Sequence, residues 1–156
     1  MGTLRLHSFL PYRLSIAANA VSRVIAAAYE ERFGLSVPEW RLIAVLHEHG
    51  SSTQQDLVRL TLMDKVAVSR AAIALAKRRL VARTADARDG RARLLQLSKS
   101  GQELYQRIAP AALSYEADLL ASFSASEISA LREMLERVER AARELADEQP
   151  TQVRTA

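Results

Sequence analysis

Residues 63–98 read MDKVAVSRAAIALAKRRLVARTADARDGRARLLQLS, and the fold turns on how this stretch divides. Its first half predicts a helix, because Val66, Ile73 and Leu80 recur at helical spacing with small alanines between them. Its second half holds two short alternating runs, Val81–Thr84 and Arg93–Leu97. They flank a polar segment, Asp86 to Arg91, in which Gly90 suits a turn. A helix feeding directly into a basic hairpin is the layout of a winged helix-turn-helix. From Lys65 to Arg93 there are nine Lys/Arg against two acids, Asp86 and Asp89. That is +7 in a chain whose total is +4, so the remainder stands at −3. Positive charge gathered on one helix and one hairpin is the electrostatic footprint of a polyanion-binding surface.

Upstream of this stretch, helical signals come in sequence. A first helix is expected from about Pro11 to Arg32, with Leu14, Ala17, Val21, Ile25 and Ala28 as an apolar stripe and Gly34 as its stop. Ser36-Val-Pro-Glu39 is a capping-box pattern opening a second helix with Trp40, Ile43, Val45 and Leu46, closed by Gly50. Ser52-Thr-Gln-Gln55 reads as another cap, opening a short third helix, and a small strand is expected near Ser51. Thr61 to Asp64 then forms a tight connection to the basic helix. Two short helices with the second one basic make the helix-turn-helix unit.

Downstream, Ser98 suits the N-cap of a long helix over about 99–122, bent at Pro110. Ser124-Ala-Ser-Glu127 caps a last helix to about Ala146. There Ile128, Leu131, Leu135, Val138, Ala142 and Leu145 are spaced like a coiled-coil seam. Glu133–Arg137 and Glu136–Arg140 are placed for i,i+4 ion pairs. The expected fold class is mainly α with a small β-hairpin wing. The winged lobe (about 36–98) and two helical regions (about 7–33 and 99–147) form one domain over 1–156. The apolar faces of those helices exceed what the small lobe can cover, so they are assigned to two-fold dimerisation.

The composition narrows the function. Hydrophobic residues make up 49% of the 156 and charged residues 26%, enough for a core and a solvated surface. No cysteine is present, which excludes disulfides, thiolate zinc sites and thiol switches within this sequence. No apolar run approaches a membrane span, and Arg5, His7 and Arg13 interrupt any signal-peptide pattern, so the expected location is cytoplasmic. There is no Gly-rich phosphate loop, no triad spacing and no apolar carboxylate pair, and Ser69 lacks a base partner. His47-Glu-His49 is the only metal-like cluster, but residues two apart on a helix point roughly 200° apart. We therefore expect no enzyme, no metal and no cofactor.

Several segments together resemble the MarR (multiple antibiotic resistance regulator) family of transcription factors over nearly the whole length. They are Gly34-Leu-Ser-Val-Pro-Glu-Trp40, Asp64-Lys-Val-Ala-Val-Ser-Arg70, Asp86-Ala-Arg-Asp-Gly-Arg91 and Leu97-Ser-Lys-Ser-Gly101, in the family's spacing. One departure is Arg79, where the family has Gly ending the basic helix. A left-handed backbone there would cost a non-Gly residue about 1 kcal/mol, so a slightly different turn is expected.

The resemblance implies a dimeric, sequence-specific regulator, a repressor in most such proteins, on a pseudo-palindromic duplex site. Lys65 to Lys77 would then lie along the major groove. Val66 and Ala67 would meet thymine methyls, Ser69 would donate or accept, and Arg70 would read guanine or clamp phosphate. Core packing for Val66 and a solvated or salt-bridged role for Arg70 remain open. Gln54 and Gln55 open the third helix, where they would hold phosphate, although Gln55 can equally be a cap. Arg88 and Arg91 at the wing tip suit a narrow minor groove, with Arg93 continuing the phosphate track and Asp86 holding Arg88 or a helix arginine. The resemblance also implies a small, often aromatic, acid effector. Its walls would draw on His7, Tyr12, Arg13, Trp40, Ile43 and His47, with Arg13 on the carboxylate and Trp40 on the ring. In the plainer alternative Trp40 is core and Arg13 is solvated. The alternatives at the level of function are a winged-helix protein-docking module with an incidental basic face, and a ligand-sequestering or metal-buffering protein.

Overall fold

The computed structural model describes residues 3–85 and 93–148. Among the described residues, six helices and three strands follow one another as α1 (Leu10–Phe33), α2 (Val37–His49), β1 (Ser52–Thr53), α3 (Gln54–Thr61), α4 (Lys65–Lys77), β2 (Val81–Ala85), β3 (Arg93–Leu97), α5 (Lys99–Leu119) and α6 (Ala125–Glu148). This is the mainly helical winged helix-turn-helix that the sequence predicts. The chain divides into two compact units, 1–112 and 113–156, with α5 crossing the boundary. Among the described residues no helix is long and apolar enough to cross a membrane.

The first unit is built by local signals that fix where each helix starts. Pro11 occupies the first turn of α1, and Gly34 ends it in the left-handed conformation (φ 60°). The Ser36 hydroxyl accepts from the Glu39 N–H while the Glu39 carboxylate accepts from the Ser36 N–H at 2.7 Å, a complete capping box. The expected box at Ser52–Gln55 is displaced by one residue. Thr53 is the N-cap of α3, and Asp56, not Gln55, closes the box. Ser52 is instead drawn into the sheet opposite Leu95 and is buried. Asp64 caps α4, its Oδ1 accepting from the Ala67 N–H at 2.8 Å.

The sheet order is β1-β3-β2, antiparallel throughout. Val81 pairs with Leu97 and Ala85 with Arg93, so the wing strands run in full register. Leu95 and Leu97 point into the core, where they join Leu35, Leu42, Ile43, Leu46, Leu57, Val68, Ala72, Leu75 and Ile108. Helix α2 packs on both α3 and α4, placing the helix-turn-helix on a common floor.

Two features of α4 depart from expectation. Of Val66, Ile73 and Leu80, only Leu80 is buried; Val66 and Ile73 are 57% and 55% exposed. The inward face is Val68, Ala71, Ala72 and Leu75, which packs α4 on α2. The second departure is Arg79, which keeps the left-handed backbone (φ 58°). The Arg79 N–H reaches the Ala76 carbonyl and the Leu80 N–H reaches the Leu75 carbonyl, both at 2.9 Å, closing a Schellman turn. The turn is unaltered, so Arg79 carries the strain that Gly would avoid, about 1 kcal/mol.

This corner is also tied to α5. The Ser98 hydroxyl donates to the Arg79 carbonyl at 2.7 Å and accepts from the Gly101 N–H at 3.0 Å. A Cβ at Gly101 would collide with the Leu80 carbonyl oxygen, so only glycine permits this approach.

In the second unit, Ser124 and Glu127 form the predicted capping box at the head of α6. The Ser124 backbone N–H and hydroxyl both donate to Glu127 and hold its carboxyl below the usual range. The two i,i+4 pairs expected on α6 are not formed. Arg132 instead reaches Glu116 of α5 at 2.9 Å. The seam residues Leu131, Leu135, Val138 and Leu145 are all exposed.

Candidate nucleic-acid interface

The outward face of α4 is set by helical geometry. Val66, Arg70, Ile73 and Lys77 are three or four residues apart, lie on one face, and are all exposed. Lys65 is exposed beside them, while Ala67 and Ser69 are half-buried on its flanks. Ile73 escapes a sequence reading as a surface residue because its spacing from Val66 and Leu80 imitates a core stripe. The discriminating signal is the run of alanines, which marks the tightly packed face.

Gln54, Gln55 and Lys65, with Val58, line one groove of about 470 Å³ between the start of α3 and the start of α4. Two glutamine amides, a lysine and the first turn of α3 thus converge, a donor-rich arrangement suited to phosphate oxygens. Gln55 is exposed and takes no part in the cap, which belongs to Thr53 and Asp56. The Thr53 hydroxyl and then its backbone N–H donate to Asp56, holding that carboxyl below its ordinary range and therefore charged. Arg70 and Ala67 border a shallower groove of about 350 Å³ shared with Ser36, Pro38 and Glu39 at the head of α2.

Among the described residues, Lys65, Arg70, Lys77, Arg79, Arg83 and Arg93 have no carboxylate within ion-pair distance; the two ion pairs are Arg59–Asp56 and Arg132–Glu116. Arg93 is exposed at the start of β3, opposite Ala85. Arg88 and Arg91, together with Asp86 and Gly90, lie outside the described residues. Arg78, counted in the sequence only as one more cation, is structural. Its Nη1 donates to the Gly34 carbonyl at 2.7 Å and its Nη2 to the Phe33 carbonyl at 3.2 Å. It thereby caps α1 from the end of α4.

The expected effector residues fall into two groups. Trp40 packs edge-on against Tyr29 (centroids 5.1 Å) and parallel to Tyr105 (6.1 Å). His47, two turns along α2, stacks on the same Tyr105 at 3.6 Å, with Nδ1 3.0 Å from the Gln102 amide oxygen. Tyr105 and Gln102 carry no signal in the sequence, because nothing there marks which face of α5 meets α2. Ile43 is fully buried in the core. His7, Tyr12 and Arg13 are exposed at and before the start of α1, and among the described residues no side-chain hydrogen bond or ring contact joins them to the stack.

Comparison with known proteins bears on this geometry. A family model described as MarR family matches residues 33–92, which span α2 to the wing. A probable transcriptional regulator from Pseudomonas aeruginosa shares 32% identity, with 86% of this chain and 99% of that one covered and a TM-score of 0.73. The chain belongs to the MarR family. A MarR/EmrR family transcriptional regulator from Acinetobacter sp. ADP1 aligns at 26% identity and TM-score 0.84, covering 90% of this chain and 99% of that one. The BpsR protein of Bordetella bronchiseptica, whose DNA binding is regulated by 6-hydroxynicotinic acid, shares the fold at 20% identity and TM-score 0.80, with 88% and 98% covered. A sequence comparison with curated proteins found no match. As a MarR-family member this protein is a winged-helix, DNA-binding transcription regulator.

Proposed function

We propose that this regulator works as a homodimer on a pseudo-palindromic operator and represses transcription until a small aromatic acid releases it. The observation that carries the DNA-binding part is the outward face of α4: Arg70 and Lys77, free of described carboxylates, alternate with exposed Val66 and Ile73. Cations fix position on the backbone, and Arg70 with Val66 and Ala67 reads base edges. Gln54, Gln55 and Lys65 grip the flanking phosphate, Ser69 and Arg93 extend the contact, and the wing arginines Arg88 and Arg91 enter the adjacent minor groove.

The helical regions over 7–33 and 99–147 serve as dimerisation helices for the lobe over 36–98. The exposed seam of α6 supports this, since a regular apolar stripe at heptad-like spacing is stable in water only when covered. Two lobes then present their recognition helices about one DNA turn, roughly 34 Å, apart. The effector reading draws on Trp40, which stacks on the ring of the acid beside Tyr105 and His47, while Arg13 pairs its carboxylate. The protein acts in the cytoplasm, where its DNA is.

Selection of bound duplexes from a random pool tests the whole reading, followed by titration of the winning site at several salt concentrations. We expect an inverted repeat with half-sites about one turn apart, and log K falling by about 0.9 per phosphate contacted for each log unit of salt. An unstructured motif with a flat salt response would instead favour protein docking and sink the operator reading.

A further inference from the structure

Lined by none of the residues of the DNA face or the ring stack, a groove of about 400 Å³ opens in the first unit where the end of α1, the end of α4 and the first turns of α5 meet, its Phe33 ring 6.3 Å from Tyr29. Its floor is apolar, made of Phe33, Leu80 and Leu104. Its walls carry three guanidinium groups, Arg32, Arg78 and Arg107, against the single carboxylate of Glu103. Three cations and one anion around one small volume repel each other on balance. None of the three arginines has a carboxylate within ion-pair distance among the described residues, Glu103 included.

Arg78 is partly committed, with two of its five N–H donors held by the Phe33 and Gly34 carbonyls. Its other donors remain, and Arg32 and Arg107 make no described side-chain hydrogen bond at all. Ser100 lines the same groove in the first turn of α5, where backbone N–H groups point outward and the helix dipole favours negative charge. The volume falls within the ~300–1,000 Å³ of small-molecule sites, and an apolar floor with a few convergent polar groups is their usual lining.

We propose that this groove is a binding site for a small organic carboxylate, with the carboxylate held by Arg32, Arg107 and the remaining Arg78 donors and its hydrocarbon body laid on Phe33, Leu80 and Leu104. The site is distinct from the Trp40–Tyr105–His47 stack. On α5 the two use different residues, Ser100, Glu103, Leu104 and Arg107 for the groove and Gln102 and Tyr105 for the stack. A saturated ring separates them, because it fills an apolar floor but gains nothing from stacking. It goes beyond the effector reading and does not depend on it.

Calorimetric titration of the full chain with cyclohexanecarboxylate tests the site, with cyclohexanecarboxamide and inorganic phosphate as comparison probes. We expect the carboxylate to bind at least tenfold tighter than either the neutral amide or phosphate. The double variant Arg32→Gln/Arg107→Gln should weaken it at least tenfold, and both side chains are exposed, so the fold should survive. Glu103→Gln should tighten it several-fold, a gain that misfolding cannot imitate. His47→Ala should leave it unchanged. The site is overturned if the carboxylate does not bind, if amide or phosphate binds equally well, or if the arginine and Glu103 variants bind like the parent. Loss in His47→Ala instead would move the carboxylate to the ring stack, overturning this site while supporting the effector reading.

Discussion

In the winged lobe, Leu42, Ile43, Leu46, Leu57, Val68, Leu75 and Leu95 are each at most 1% exposed, whereas in α6 Leu131, Met134, Leu135, Val138 and Leu145 range from 36% to 59%. Both regions are rich in leucine and both begin at well-formed caps. The lobe closes its core with short helices and a three-stranded sheet. The α6 helix has the periodicity of a packed seam, and among the described residues nothing in its own unit buries that seam. The lobe can therefore be stable alone, while the helix depends on what covers it.

The same truncation made in the two places is the strongest way to break this contrast. Leu75→Ala should cost about 2–5 kcal/mol and leave the dimer dissociation constant unchanged by sedimentation, because the cavity lies inside one lobe. Leu135→Ala should cost less but raise the dimer dissociation constant, so that the variant falls to monomers at a higher protomer concentration than the parent. Leu135→Asp should leave the protein folded by circular dichroism but monomeric by sedimentation. If it sediments like the parent, α6 is not the interface.

Smaller effects sharpen the picture within the lobe. Arg79→Gly should raise stability by up to about 1 kcal/mol, reduced by glycine's larger unfolded-state entropy. The same variant should weaken DNA binding if the extra cation reaches phosphate, measurable as a shallower salt slope. Unchanged stability would mean that the left-handed turn is unstrained.

The smallest effect concerns acid. Asp56 has a depressed pKa in the folded lobe, chiefly through the Thr53 hydroxyl and then its backbone N–H. Its contribution is therefore present above the unfolded-state value of about 3.9 and is lost as pH falls through the lower folded value. Asp56→Asn should be less stable than the parent at about pH 6, and the gap should close by about pH 2. A gap of constant size across that range would assign the effect to the hydrogen bonds alone.

The winged helix-turn-helix was legible because its punctuation is chemical: Ser36 with Glu39, Ser98, and Ser124 with Glu127 each cap the helix expected of them, while the Asp64 cap was read only as the end of a tight connection. The box at α3 was misplaced by one residue because Ser52 and Thr53 are equally good caps. Only pairing with Leu95 decides between them, and that contact is not local. Two left-handed turns carry Leu62 and Arg79, so the usual glycine or asparagine signal was missing there. On α4 Val66 and Ile73 face outward while Ala71 and Ala72 are buried beside Val68 and Leu75, so side-chain size alone does not mark the core face. Half of the basic surface was visible as charge, but the division of labour was not: Arg78 serves α1, while Arg70 and Lys77 face outward.

The junction of Ser98, Gly101 and Leu80 has a mechanical consequence. With backbone touching backbone and one hydroxyl serving both sides, there is no compressible side chain between the tail of α4 and the head of α5 to absorb a displacement. A tilt imposed on the opening turns of α5 would therefore load the tail of α4 directly. At this joint the molecule behaves as a crank, not as a hinge.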